Sequence, residues 1–376
     1  MSYLLSIIIP TKNRYQYLKD CIVSLSELDS DKVEIIVHDN SDDNSEFTGF
    51  VRDQNLSNLK YYHKEGKLSQ TDNSNLAVGY ATGEYCCFIG DDDTVADAII
   101  PTTKYLKQNG IPACVCDVAT YYWQDVVFEG AKRPPLSFNA SRVYIKQLRS
   151  EHVVKKVLSW GIQDIKYLAR IYHGIIRRDI LTQVKEKTGT YFPGPSPDMA
   201  NAISCTSLIS EYIYVRAPLV ISGYSYKSAG GMGLRGAHKG SLKDSKQLPS
   251  NVEDDWDEKI PKLWLGYTMW PQSGITALRA LRLSENAEKM NYNAMYAKTY
   301  LRYAEYKDEV MDFVKKYGGL CAFCYEIVRF GFRWLRERCD LKIRKIKKSQ
   351  YINWSQMSLV ESKHIVDEKY KNVELK

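Results

Sequence analysis

Short apolar runs recur along the first third of the chain, and each is closed by a polar or glycine-containing turn. Residues 4–9 (LLSIII) read as a buried strand ending at Pro10 and residues 33–37 (VEIIV) as a second. Leu59 to His63 reads as a shorter third, and Glu84 to Ile89 as another that stops at Gly90. Between them, 15–27 has helical spacing, with Tyr17, Leu18, Cys21, Ile22 and Leu25 on one face; 70–81 and 95–109 also read as helices and 113–118 as a strand. This alternation predicts an α/β fold, a Rossmann-like, mostly parallel sheet with helices on both faces. Beyond 120 the pattern loosens. Residues 171–177 and 212–221 read as strands and 223–247, rich in Gly, Ser and Lys, as a loop. Past 250 the chain turns helical, with breaks expected near Pro261, Pro271 and Gly318-Gly319. The division that follows is an α/β domain over 1–225, a flexible loop over 226–248 and a helical C-terminal region over 249–376.

Composition narrows the classes. Of 376 residues, 44% are hydrophobic and 26% charged, which excludes a mainly disordered, collagen-like or membrane-embedded chain. The nine Cys lie in apolar runs or on an expected helix, and no basic, apolar export signal opens the sequence, so a reduced, cytoplasmic setting is expected. Cys321-x-x-Cys324 lacks the second pair of ligands that a zinc site needs. No apolar run of about 18 residues occurs, so no spanning helix is expected.

Open α/β sheets bind ligands outside the carboxyl ends of their strands. After the first strand comes Pro10-Thr11-Lys12-Asn13-Arg14, after the second Asp39-Asn40-Ser41-Asp42-Asp43, and after the run 84–89 Gly90-Asp91-Asp92-Asp93-Thr94. If these strands are parallel neighbours, the three ends converge on one crevice. Three adjacent carboxylates repel one another and need compensation. One reading is a solvated turn in which Asp93 or Thr94 caps the next helix; the other is a site for Mg²⁺ or Mn²⁺, hard cations that take one or two carboxylates and substrate phosphates. Asp39 is either an Asx-turn or an acid for a ribose hydroxyl or base N–H. Lys12 and Arg14 are either phosphate holders or exposed cations.

Three segments carry a resemblance: Ser6-Ile-Ile-Ile-Pro-Thr-Lys-Asn-Arg14, Ile35-Ile-Val-His-Asp-Asn-Ser-Asp-Asp43 and Gly83-Glu-Tyr-Cys-Cys-Phe-Ile-Gly-Asp-Asp-Asp93. In this order and spacing they resemble the family 2 glycosyltransferases of the GT-A fold. The resemblance implies that a nucleoside-diphosphate sugar is bound through Pro10, Thr11, Asn13, Arg14, Asp39, Asn75, Asp91 and Asp92. It implies that Asp91 and Asp93 hold a divalent metal, although the commoner family pattern has an acid where Gly90 stands. The family's catalytic base sits at a helix start after the sheet core. Tyr191-Phe-Pro-Gly-Pro-Ser-Pro-Asp198 is similar to that element, which implies Asp198 as the base; a favourable charge against the helix dipole is the other reading. The Gly-rich stretch 222–233 reads as a lid or as a plain linker, and His238 as a further metal ligand or a solvated loop residue.

The net charge of +7 is localised. Residues 315–350 hold 11 basic and three acidic residues, a local net of +8, so the remainder carries −1. Leu320, Phe323, Cys324, Ile327, Phe330, Trp334 and Leu341 recur at helical spacing, with Arg329, Arg333, Arg336 and Asp340 opposite. The helix over 320–348 is therefore expected to lie on an anionic membrane surface, or else to pack on the protein. No nucleic-acid-binding motif accompanies the charge. The expectation from all of this is an inverting, metal-dependent glycosyltransferase, peripheral on the inner face of the cell membrane. It would move a sugar to a hydroxyl of a saccharide acceptor, lipid-linked as in polysaccharide-building members of the family. The alternatives are a catalytically inactive binder or scaffold, a nucleotidyltransferase (disfavoured for want of a Gly-rich basic loop after the first strand) and a basic surface adaptor.

Overall fold

The computed structural model describes residues 3–126, 135–139, 143–234, 239–244, 248, 252–346, 350–352 and 357–371. The apolar runs form the expected strands: β1 (Leu5–Thr11), β2 (Val33–Asp39), β3 (Leu59–His63) and β4 (Tyr85–Phe88). After them come β5 (Thr94–Val95), β6 (Ala113–Tyr122), β7 (Leu136–Phe138), β8 (Ile145–Arg149), β9 (Gly174–Arg177), β10 (Glu211–Tyr224) and β11 (Gln350–Ile352). They make one sheet in the order β11-β7-β6-β9-β4-β1-β2-β3, with β10 pairing β5, β6 and β8. The four strands β3, β2, β1 and β4 are parallel neighbours. The next strand, β9, is antiparallel to both β4 and β6, so β6 runs with β4, and β10 runs parallel to β6.

Alternation across the pleat explains why the strands read as unbroken apolar runs. Ile7, Ile9, Ile35 and Val37 enter the core on one face, Ile8 and Ile36 the core on the other. The polar exception, Glu34 in β2, is fully buried and held by Lys60, the Ser6 hydroxyl and the backbone N–H groups of Thr82 and Gly83.

Several sequence-based boundaries shift. The helix expected over 95–109 starts only at Ile99, because Thr94 and Val95 pair with β10. Its N-cap is Ala98, without a side-chain cap, so neither Asp93 nor Thr94 caps it. The stretch read as a loop from 223 begins with the end of β10 and contains the helix Ala229–Leu234; His238 lies outside the described residues. Pro271 breaks nothing: it sits inside the helix Gly266–Ala280. A proline leaves the carbonyl four residues back without its partner, and here the Tyr267 carbonyl accepts a hydrogen bond from Gln163 Nε2 at 3.0 Å.

The C-terminal helices share a core with the earlier chain: Val154, Leu158 and Ile203 pack with Met269, Ile275, Met295 and Phe330. The last helix, Leu359–Tyr370, returns to the sheet, where Leu359, Val366 and Tyr370 join the β1–β2 core. Its Lys363 side chain is 1% exposed and ion-paired to Glu27, Asp97 and Asp367. Replacing Lys363 by Ala should lower stability by about 1–3 kcal/mol, less than for a fully buried pair because the acids keep some solvent. An unchanged denaturation midpoint would show that this contact does not anchor the helix.

Candidate active site

The parallel register sets Thr11 beside Asp39, and the three strand ends meet. Lys12 Nζ donates to Asn40 Oδ1 at 3.1 Å, and the Asn13 backbone N–H donates to Ser41 Oγ at 2.7 Å. The Thr11 hydroxyl donates to Asp91 Oδ2 at 2.7 Å. Pro10, part-buried, sits opposite His38 in the register. Ser41 N–H donates to Asp39 Oδ1, the Asx-turn geometry, and the hydroxyls of Tyr15 and Tyr61 donate to Asp39 Oδ2. Both Asp39 oxygens are therefore engaged, and the residue shapes the loop that follows β2. Burial first, and then the Asp39 hydrogen bond, push the Tyr15 and Tyr61 phenols upward.

Asp91, Asp92 and Asp93 are all buried, and the compensation they need comes from within the protein. Arg14 spans two of them, Nη1 at 3.1 Å from Asp91 Oδ1 and Nη2 at 2.8 Å from Asp92 Oδ2. The backbone N–H and the hydroxyl of Ser225 donate to the same Asp92 oxygen. Asp93 pairs with His173 Nε2 at 2.7 Å and accepts from the N–H groups of Gly90 and Gly223, each at 2.7 Å. Burial raises the Asp91 carboxyl to about 7, against the pull of Arg14 and with the push of Asp92. Burial likewise raises Asp92 against Arg14. Burial acts the same way on Asp93, but the His173 imidazole and the two glycine N–H groups outweigh it and hold that carboxyl low.

Two glycines make this packing possible. A Cβ on Gly223 would lie 1.7 Å from the Asp92 carbonyl oxygen. A Cβ on Gly90 would lie 2.9 Å from Asp92 Oδ1 and 3.1 Å from Asp93 Oδ2, so a side chain at this position collides with the carboxylates. Asn13 (φ 56°) and His173 (φ 55°) hold left-handed backbone, a cost of about 1–3 kcal/mol for non-glycine residues that clusters at functional sites.

Asp198 lies in the first turn of the helix Pro197–Leu208 and is part-buried. Its Oδ1 accepts from the Ser196 hydroxyl and from Met199 N–H, and among the described residues nothing donates to its Oδ2. The Ser196 N–H donates to Ser273 Oγ, so the helix Gly266–Ala280 braces the approach to Asp198. Asn75 Oδ1 accepts from Tyr191 N–H and the Thr190 hydroxyl; it fixes the other end of that approach. Tyr172 stacks on the His173 ring, 3.9 Å between centroids, and its phenol is pushed up by burial and by the charges of Asp93, Asp92 and Asp198.

Sequence reasoning missed His173, and it read Gly223 and Ser225 only as part of a lid or linker; each reaches the cluster through tertiary packing. The expected cation meets a divided set of ligands. Asp91 Oδ1 is buried with no hydrogen-bond donor and only the Arg14 charge beside it, which fits one ligand position. Asp93 fits none while His173 and two N–H groups hold its oxygens. Among the described residues, no group of three or more His, Cys, Asp or Glu side chains is arranged to hold a metal ion.

Arg14→Met would leave two buried carboxylates without their cation, a loss of about 3–5 kcal/mol. Arg14→Lys should recover only part of it, since an ammonium lacks the two-pronged fork. Equal denaturation midpoints for wild type and Arg14→Met would contradict the bridge.

Parts of this chain are similar to known proteins. GlyG, a glycosyltransferase of Streptococcus pneumoniae, is 31% identical over 106 residues, 27% of this chain and 34% of that protein. The GalNAc(5)-diNAcBac-PP-undecaprenol beta-1,3-glucosyltransferase of Campylobacter jejuni is 33% identical over 111 residues, 28% of this chain and 35% of that one. The chain thus spans about a third of the length of the curated relatives it matches. The structure of S. aureus TarS 1-349 with UDP-GlcNAc aligns over 98% of this chain and 91% of that one, at 12% identity and a TM-score of 0.47. The mannosyltransferase PcManGT of Pyrobaculum calidifontis, with GDP-Man and Mn²⁺, aligns over 87% and 86%, at 15% identity and a TM-score of 0.41. Both structural likenesses are too remote to carry chemistry. Residues 6–170 contain all three converging strand ends and match the family model for glycosyl transferase family 2.

Proposed function

We propose that this protein transfers a sugar, with inversion, from a nucleoside-diphosphate sugar to a hydroxyl of a saccharide acceptor. The observation that carries the reading is the meeting of the Thr11–Arg14, Asp39–Ser41 and Asp91–Asp93 segments at the carboxyl ends of the parallel strands, inside the matched residues. The acceptor oxygen attacks the anomeric carbon as the bond to the diphosphate breaks, and the bonding pair leaves with the nucleoside diphosphate. The acceptor's proton goes to a carboxylate, and Asp198 Oδ2 is suited to receive it: the Ser196 and Met199 bonds fix Oδ1 and turn the other oxygen outward. Arg14, part-exposed at the edge of the acid cluster, is the cation assigned to the diphosphate in this reading.

A divalent metal, Mn²⁺ or Mg²⁺, belongs to the reading with Asp91 as its ligand in this chain, and when bound it supplies Lewis-acid stabilisation of the leaving diphosphate. Asp93 acts instead as the partner that holds His173. A lipid-linked acceptor and work at the inner face of the cell membrane complete the proposal. They are supported by the Campylobacter relative, whose name specifies a saccharide on PP-undecaprenol, and by the basic C-terminal helix. A second reading, an inactive nucleotide-sugar binder, draws on the internally neutralised acids and on Gly90 in the place of an acid.

A labelled donor separates the two: product with a saccharide acceptor supports transfer, and saturable binding without product supports the binder. Asp198→Asn should keep donor affinity and lower turnover by about 10²–10⁴-fold; undiminished turnover would refute the base. Asp91→Asn should abolish any difference in donor binding between Mn²⁺ and a chelator, whereas a difference that survives would move the metal elsewhere.

A further inference from the structure

The tail helix does not lie as its sequence pattern suggests. It runs from Leu320 to Ile346, and Phe323 and Phe330 of the expected membrane-facing stripe are buried in the helical core. Arg329 and Arg333, expected on the far side, stack on Trp160 with guanidinium carbons 3.7 and 4.9 Å from its ring centre. A different apolar stripe faces outward. Tyr325, Val328, Phe332 and Leu335 recur three or four residues apart on one side of the helix, with Tyr325 66% and Phe332 70% exposed.

Beside this helix lies a cleft of about 710 Å³, lined by Lys146, Arg149, Lys156, Trp160, Tyr167 and Arg333 among others. It is not part of the candidate active site. Its wall β8 pairs with residues 211–215 at the start of β10, whereas the acid cluster meets Gly223 and Ser225 at and beyond the other end of that strand. The ammonium groups of Lys146, Lys156 and Lys166 gather 5.3–6.0 Å from the Tyr167 ring centre. Arg149 and Arg333 have carboxylate partners in Glu211 and Asp164, but among the described residues none of the three lysines does. These lysines and the cleft arginines give this face a positive charge that suits an anion. Arg333 joins the two features: it lines the cleft, and its neighbour Phe332 belongs to the exposed stripe. The chain then continues with Lys342, Arg344, Lys345, Lys347 and Lys348.

We propose that the outward stripe Tyr325-Val328-Phe332-Leu335 and the cleft lined by Lys146 and Lys156, with Lys166 beside it on the Tyr167 ring, form one docking surface for an anionic bilayer, the stripe entering the interface and the cleft taking lipid phosphate. The charge complementarity selects this occupant, because aromatic and aliphatic side chains flanked by cations suit the headgroup boundary of anionic lipid. The inference rests on the membrane part of the proposed function and adds a second face to the expected stripe, of which Leu320 and Trp334 stay exposed.

The test is flotation of the full chain with phosphatidylglycerol–phosphatidylcholine vesicles and with phosphatidylcholine vesicles alone. Binding is expected only to the anionic vesicles and should weaken with salt. The exchange Lys146→Gln, Lys156→Gln and Lys166→Gln together should weaken it about a hundredfold. Phe332→Ser with Leu335→Ser should also release the protein, while a thermal shift confirms that each variant is folded and still responds to nucleotide-sugar. Equal binding to neutral vesicles, or full binding by the triple lysine variant, overturns the proposal. So does stabilisation by inorganic phosphate without vesicle binding, which makes the cleft a soluble-anion site. Loss of self-association in the serine variant with vesicle binding intact assigns the stripe to a second copy of the chain and also overturns it. None of these readouts uses transfer, so failure here leaves the catalytic reading standing, and failure of catalysis leaves this one.

Discussion

Three carboxylates on consecutive residues sit buried at the end of β4, a placement that costs several kcal/mol per uncompensated ion. Everything around them follows from meeting that cost. Arg14 reaches over from the end of β1 to span Asp91 and Asp92, and His173 comes from the turn before β9 to hold Asp93. The end of β10 closes on the cluster with the N–H groups of Gly223 and Ser225. One electrostatic knot therefore ties together four segments distant in sequence, with the part-exposed Arg14 at its edge.

The same knot explains why the site differs from the arrangement that its motifs suggest. A side chain at Gly90 would strike Asp92 and Asp93, so the missing acid and the tucked Asp93 are parts of one solution. Asp93 spends its oxygens on His173 and two glycine N–H groups, which leaves Asp91 as the carboxylate with an oxygen to offer a cation. Ser196, Ser273 and Asn75 hold Asp198 by fixing the backbone before it.

Much of this was legible in the chain. The runs LLSIII and VEIIV are apolar on both faces because both faces are covered, and that reads directly as a parallel sheet. The polar segments after them converge because parallel neighbours end together. What was not legible depends on packing between distant segments. His173 stands alone in IYHGIIR, and nothing local marks it as a partner for Asp93. Pro271 looks like a break until Gln163 is seen to satisfy the Tyr267 carbonyl. Periodicity identifies the tail helix, but it carries two apolar stripes, and spacing cannot say which one the protein covers. The protein buries Phe323 and Phe330 of the first stripe and leaves its Leu320 and Trp334, and Phe332 of the second, exposed.

The central claim is that the Arg14-centred crevice binds a nucleoside-diphosphate sugar. Calorimetric titration of the full chain with UDP-, GDP- and dTDP-sugars, in Mn²⁺, in Mg²⁺ and in chelator, tests it most directly. The account predicts saturable one-to-one binding of one nucleotide class. Absence of binding by every donor under every condition would contradict it and leave the strand-end acids as a purely structural knot.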